Sequence, residues 1–265
     1  MGGAETLGRV LGVPEHVEPP SPRAPATAGA AGARHPVEAV LFDFHGTLAQ
    51  VEDPVAWVLA AAGACGVELT RPRATVLADR LVTAGRAGGP LPHRVPPHLA
   101  ESWAERDLYP HAHRAAYIGL AATVDTGVEG LADALYERLL HVEGWELYAD
   151  TVEALGALRA AGVPVAVVSN IGFDIRPLFA AWGIADLVDA FALSYEVGRC
   201  KPDPVIFRTA CRMLGVDPAR ALMVGDTPAD AGAVRAGCAA LVLPAADPGG
   251  VNGLGAAVAL AGAYD

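Results

Sequence analysis

VEAVLFDFHGTL, Val37 to Leu48, opens as an apolar run and ends in a polar turn. Val37 to Phe44 has the β-branched and aromatic content of a buried strand. Asp43 leaves that strand into Gly46-Thr47 and has the placement of a nucleophile on a platform. Further buried strands are predicted in VPVAVVSN, DAFALSYEVG, ALMVGD and CAALVLP, each separated from the next by a helical pattern. Strands alternating with helices imply crossover units and a parallel sheet covered on both faces. The predicted class is therefore α/β, with a Rossmann-like parallel sheet. In such sheets the site lies beyond the carboxyl ends of the strands.

The alternation is interrupted once. Asp53 and Pro54 read as the N-cap and first position of a helix. From there to about Tyr148 the apolar spacing is helical, so residues 51–148 are expected to form an all-helical insert, with residues 36–50 and 149–265 forming the core. A second helix start is predicted at Asp203-Pro204. Residues 1–35, rich in Pro, Ala and Gly, read as a flexible extension.

The chain has 265 residues and a net charge of −11. That balance argues against a nucleic-acid partner, which needs a basic face, but leaves room for a small anionic substrate held by a few local cations. No apolar run approaches the ~20 residues that span a bilayer, and the N-terminus lacks a secretory pattern. The four cysteines are scattered and suit a reduced, cytoplasmic protein. Cys200, beside Lys201, has the setting of a reactive thiol; an inert one is the plainer reading.

Residues that do chemistry recur at the strand ends. Asp43 follows the first strand, Ser169-Asn170 the second, Lys201 the third, and Asp226 the fourth, with Asp230 one helical turn on. A carboxylate can attack phosphorus and carry the phosphoryl group. Asp43 and Asp226 together suit Mg²⁺, which takes one or two protein carboxylates, and Asp230 can hold Mg²⁺-bound water or orient Lys201. Ser169 and Lys201 can meet phosphoryl oxygens, with Thr47 and Asn170 as further substrate contacts.

The ordered set FDFHGTL, VVSN, KPDP and GDTPAD resembles the haloacid dehalogenase superfamily of hydrolases, over about residues 37–245. The resemblance implies a small helical cap over a Rossmann-like core, Mg²⁺, a small phosphorylated metabolite as substrate and an aspartyl phosphate on Asp43. It implies the backbone carbonyl of His45 as a metal ligand, Ser169 and Lys201 on phosphate, and Asp226 and Asp230 serving the metal. The phosphatases of this family carry Asp where this chain has His45. His45 is expected to replace it as general acid and base, with an unperturbed pKa near ~6.5. Two alternatives are a dehalogenase-like hydrolase, whose halide leaving group needs no proton, and a lapsed, binding or regulatory member. The acidic pair in GDTPAD speaks for phosphate.

In the insert, His93, His98, His111 and His113 lack metal-ligand spacing and read as solvated or packing residues. Trp57, Trp103 and Tyr109 read as packing, and Arg86 as a candidate for a substrate anion.

Overall fold

The computed structural model describes residues 37–263, so the expected extension over 1–35 lies outside the described residues. The chain opens with β1 (Ala39–Phe42) and β2 (Ala49–Val51). Five helices follow: α1 (Pro54–Ala64), α2 (Arg71–Ala84), α3 (Ala100–Glu105), α4 (Pro110–Ala122) and α5 (Leu131–Leu140). The remaining elements are β3 (Trp145–Leu147), α6 (Thr151–Ala160), β4 (Val165–Ser169), α7 (Arg176–Ala181), β5 (Ala190–Leu193), α8 (Ser194–Val197), α9 (Pro204–Leu214), β6 (Ala221–Gly225), α10 (Pro228–Ala231), β7 (Ala239–Val242) and α11 (Gly255–Leu260).

Five strands form one parallel sheet in the order β5-β4-β1-β6-β7, as the α/β pattern predicts. β1 is central, with Phe42 in register with Val167 of β4 and Val224 of β6. Its side chains alternate between two cores. Val40 and Phe42 pack with Val165, Val167, Leu222 and Val224 on one face. Leu41 packs with Ala166, Val168 and Met223 on the other. Burial on both faces explains why these strands read as unbroken apolar runs. The helices α1, α2 and α5 enclose a third core around Trp57, Val58, Leu77, Leu81 and Leu135.

Both predicted helix starts are present. The Asp53 carboxylate accepts from the Val55 and Ala56 amides, and Asp203 accepts from Val205. Two readings need correction. Trp145–Leu147 is not the end of the helical stretch: it pairs antiparallel with β2, so entry to and exit from the helices are stitched together. Three residues are too few to show an alternating pattern. PADAGAVRAG is not one helix; α10 ends at Ala231 and a 3₁₀ turn covers Gly232–Ala236. A side chain on Gly232 would collide with Pro202, so the turn is drawn tight against the Lys201 loop. The last strand is followed by α11, which packs with α6. No helix among the described residues is long and apolar enough to cross a membrane.

Candidate active site

β1, β4 and β6 deliver Asp43, Ser169 and Asp226 to one edge of the sheet, because neighbouring parallel strands in register end together. Lys201 arrives from the turn before α9. Its Nζ lies 2.7 Å from an oxygen of Asp43 and 2.7 Å from an oxygen of Asp230. All three residues are buried. The second Asp230 oxygen accepts from the Thr227 amide at 3.0 Å and the Thr227 hydroxyl at 2.7 Å. Thr47 is buried and its hydroxyl donates to Asp226 at 3.5 Å.

Asp43, Asp226 and Asp230 each present a ligand atom within 4.8 Å of the others. Gly46 permits this crowding. Its φ of 80° forms the turn, and a Cβ there would sit on the Asp226 carboxylate. One ammonium faces three carboxylates, and the imbalance is visible in their titration. Burial pushes the Asp43 carboxyl up to about 7 despite Lys201, with Asp230 and Asp226 adding to the rise. Burial and then Asp230 also push Asp226 up. Asp230 is held below its ordinary value: Lys201 and the Thr227 hydrogen bonds overcome burial. For Lys201, burial is outweighed by Asp43 and Asp230, so its ammonium is secure. A crowded, incompletely neutralised set of hard oxygens fits a divalent cation such as Mg²⁺.

Asn170 is committed elsewhere. Its carbonyl accepts from the Lys201 amide at 2.6 Å and its NH₂ donates to the Lys201 carbonyl at 3.0 Å, fixing the Lys201 backbone. Ser169 is buried at the end of β4.

His45 differs from the ordinary imidazole expected from the sequence. Its Nε2 is buried with no hydrogen-bond partner. The loop after α2 covers it: Gly88 has φ 72°, and a Cβ there would lie 2.6 Å from Nε2. Trp145 meets the ring edge-on, centroids 5.8 Å apart. Burial pulls its pKa down to about 4, with Arg86 and Lys201 adding to the fall while Gln50 and Gly88 oppose it. Burial thus favours the neutral ring at pH 7, which is a far weaker acid toward a leaving group than an imidazolium.

Arg86, in the same loop, is buried. It donates to the Glu52 carbonyl at 2.8 Å and lies 4.4 Å over the Trp57 ring. It makes no direct ion pair among the described residues, and burial lowers its pKa to about 10 against the pull of Glu52 and Asp53. It lines a small cavity of about 20 Å³ with Trp57, Tyr117 and Tyr136.

The other candidates disperse. His113 is buried and its Nδ1 meets the Tyr136 hydroxyl at 2.9 Å, a packing role. His93, His98 and His111 join no metal-ligating cluster among the described residues. The Trp57 indole donates to the Leu135 carbonyl, Trp103 carries the Arg106 guanidinium at 3.9 Å, and Tyr109 is exposed. Burial raises the Cys200 thiol, which favours the inert reading.

Two positions that sequence reasoning missed hold the site together. Buried Asn252, near the C-terminus, donates to the carbonyls of Gly46 and Thr47 and pins the turn after Asp43. Buried Ser194 bonds both Ile171 and the Asp107 carbonyl, tying the loop after β4 to the end of α3. Neither stands in a motif, and a lone Asn or Ser in a turn carries no distinguishing signal.

The profile of the haloacid dehalogenase-like hydrolases matches residues 37–237. A plasmid-encoded phosphoglycolate phosphatase of Cupriavidus necator is 37% identical over 110 residues, 40% of this chain and 48% of that protein. The chain thus spans about half the length of that relative. The (S)-2-haloacid dehalogenase 1 of a Pseudomonas species is 28% identical over 206 residues, 76% of this chain and 81% of the relative. Among solved structures, a dehalogenase with an intermediate complex superposes with a TM-score of 0.59 at 23% identity, covering 87% of this chain and 99% of the other. A phosphatase from Thermococcus onnurineus gives 0.52 at 22% identity, covering 86% and 99%. At these identities the two structures speak for the fold.

Proposed function

Because the chain belongs to the haloacid dehalogenase-like hydrolases, we propose that it is a Mg²⁺-dependent phosphomonoesterase acting on a small metabolite. The observation that carries this reading is the surplus of carboxylate at the sheet edge, three acids within 4.8 Å around one lysine. Halide displacement from a haloacid needs a nucleophile and a cation but no second and third acid. Bound Mg²⁺, held by Asp43, Asp226 and Asp230 with the His45 carbonyl, supplies charge that lets an anionic nucleophile approach an anionic phosphoryl group. Asp43 attacks phosphorus, the bond to the leaving oxygen breaks, and water then hydrolyses the aspartyl phosphate. Lys201 and Ser169 contact the phosphoryl oxygens, and Asn170 keeps Lys201 in place. The His45 ring, buried under Gly88 and held neutral, is a weak base and a weaker acid, so its part lies in the backbone carbonyl and in shaping the turn.

Helices α1–α5 are the cap in this reading, and Arg86 is its substrate contact. Arg86 has no carboxylate in direct contact, although Glu52 and Asp53 act on it from farther off, and an anionic leaving group, a carboxylate for instance, would give it a direct partner. The phosphoglycolate phosphatases among the relatives support that class. Free cysteines throughout accord with a cytoplasmic setting.

The test is phosphate release from a panel of small phosphomonoesters with Mg²⁺, with EDTA and Asp43→Asn as controls. Release that needs both the metal and Asp43 is expected; release surviving Asp43→Asn removes the nucleophile assignment. A second reading, dehalogenase-like hydrolysis, is favoured by one observation: burial disfavours the acidic, protonated form of His45, and a halide leaving group needs no acid. Metal-independent halide release from a 2-haloacid would establish it instead.

A further inference from the structure

All four cysteines lie among the described residues as free thiols, and two of them meet. The sulfurs of Cys211 and Cys238 are 3.8 Å apart. Both are buried in the core on the sheet face that α9 covers. Cys65 and Cys200 are half-buried and stand apart from this pair. We propose that Cys211 and Cys238 form an oxidisable pair that closes to an intramolecular disulfide, cross-linking α9 to the segment that follows Asp230.

The pair spans two segments that the site depends on. Cys211 sits on the buried face of α9 with Ile206, Phe207 and Ala210, and α9 begins just after Lys201. Cys238 ends the turn that begins one residue after α10, which carries Asp230. The same segments already touch through Arg208, which donates to the Arg235 carbonyl at 3.3 Å, and through the close approach of Gly232 to Pro202. A disulfide needs its sulfurs at about 2.05 Å, so closure asks for thiol rotation and a movement of less than about 2 Å shared between two segments already in contact.

The two thiols hydrogen-bond to each other and either can donate, so one can ionise while the other keeps its proton; with Cys211 as the attacking sulfur, Cys238 resolves. The oxidant must be small to enter a packed core, and hydrogen peroxide, close to water in size, fits. The Cys211 thiolate takes one peroxide oxygen as the O–O bond breaks, leaving a sulfenic acid and hydroxide, which is protonated to water. Cys238 then attacks the Cys211 sulfur, the S–O bond breaks and a second water leaves. In sum, two thiols and one peroxide give one disulfide and two waters.

The experiment treats the folded full chain with stoichiometric hydrogen peroxide, followed by non-reducing digestion and mass spectrometry. The expected result is one linked peptide pair joining Cys211 to Cys238, lighter by two hydrogens and released by dithiothreitol. Unfolding in urea, read by fluorescence, should shift to higher urea in the oxidised protein and return on reduction, since the cross-link constrains the unfolded chain. Cys238→Ala should give neither the linked peptide nor the shift. These readouts are independent of phosphatase activity. Cys211 driven to sulfinic acid with Cys238 still a thiol, a link between separate molecules, or an unchanged urea midpoint would overturn the proposal.

Discussion

At the carboxyl edge of the sheet, Lys201 reaches two carboxylates at 2.7 Å each, and Asn170 and Thr227 hold the members of that set in place. In the loop after α2, Arg86 is just as buried, yet its contacts are a carbonyl oxygen and an indole face, and the neighbouring His45 Nε2 has none. The two regions bury charge in opposite ways. The sheet edge over-supplies negative charge, which suits a cation and the phosphoryl group that the cation helps to bind. The loop holds one guanidinium with no carboxylate in direct contact, while Glu52 and Asp53 act on it from farther off.

The largest effect is expected at the nucleophile. Asp43→Asn should lower phosphate release by roughly 10⁴-fold or more, the scale seen when one member of a catalytic unit is lost. A steady-state assay with an aryl phosphate checks this, and a loss below tenfold would mean that the sheet edge only binds. Next, Lys201→Met removes the one ammonium facing the three acids. A fall in kcat of about 10²–10³-fold is expected, as for loss of one preorganised charge partner. Parallel urea unfolding separates lost chemistry from lost fold.

The loop gives smaller effects that depend on the substrate. Arg86→Met should raise KM for a carboxylate-bearing phosphomonoester by about 10–100-fold, the worth of a charged hydrogen bond of ~1.5–3 kcal/mol. An uncharged aryl ester should change little. Equal effects on both substrates would reduce Arg86 to a packing residue for Trp57.

The smallest effect concerns stability. Burial, with Arg106 adding to it, lowers the His113 pKa to about 3, against an unfolded value near ~6.5. The unfolded state therefore binds the proton more readily, and the stability present above the unfolded value is lost as pH falls below it. At pH 5 the loss from His113 should be about 2 kcal/mol relative to pH 7. His113→Gln should remove that part of the acid sensitivity, leaving the part due to His45. Urea unfolding at the two pH values measures both.

Much of the sheet edge is legible from the chain alone. Fully buried parallel strands are written as short apolar runs, and a polar residue that ends such a run must lie at the sheet edge. That is why Asp43, Ser169 and Asp226 could be placed together, and why Asp53 and Asp203 could be read as helix caps. Trp145–Leu147 escaped because three residues cannot display a period, and Asn252 because its partners lie 205 and 206 residues away.

The sequence by itself determined the α/β class, the interruption by helices and the types of group at the strand ends, since these follow from local periodicity and strand termini. Tertiary structure alone decided how those groups divide their charge. Lys201 is shared between Asp43 and Asp230, and the Asn170 amide is committed to the Lys201 backbone. Burial holds His45 in its neutral form under Gly88, and Arg86 is buried with no carboxylate in direct contact. These outcomes depend on desolvation and on distances between residues far apart in the chain, neither of which a linear pattern encodes.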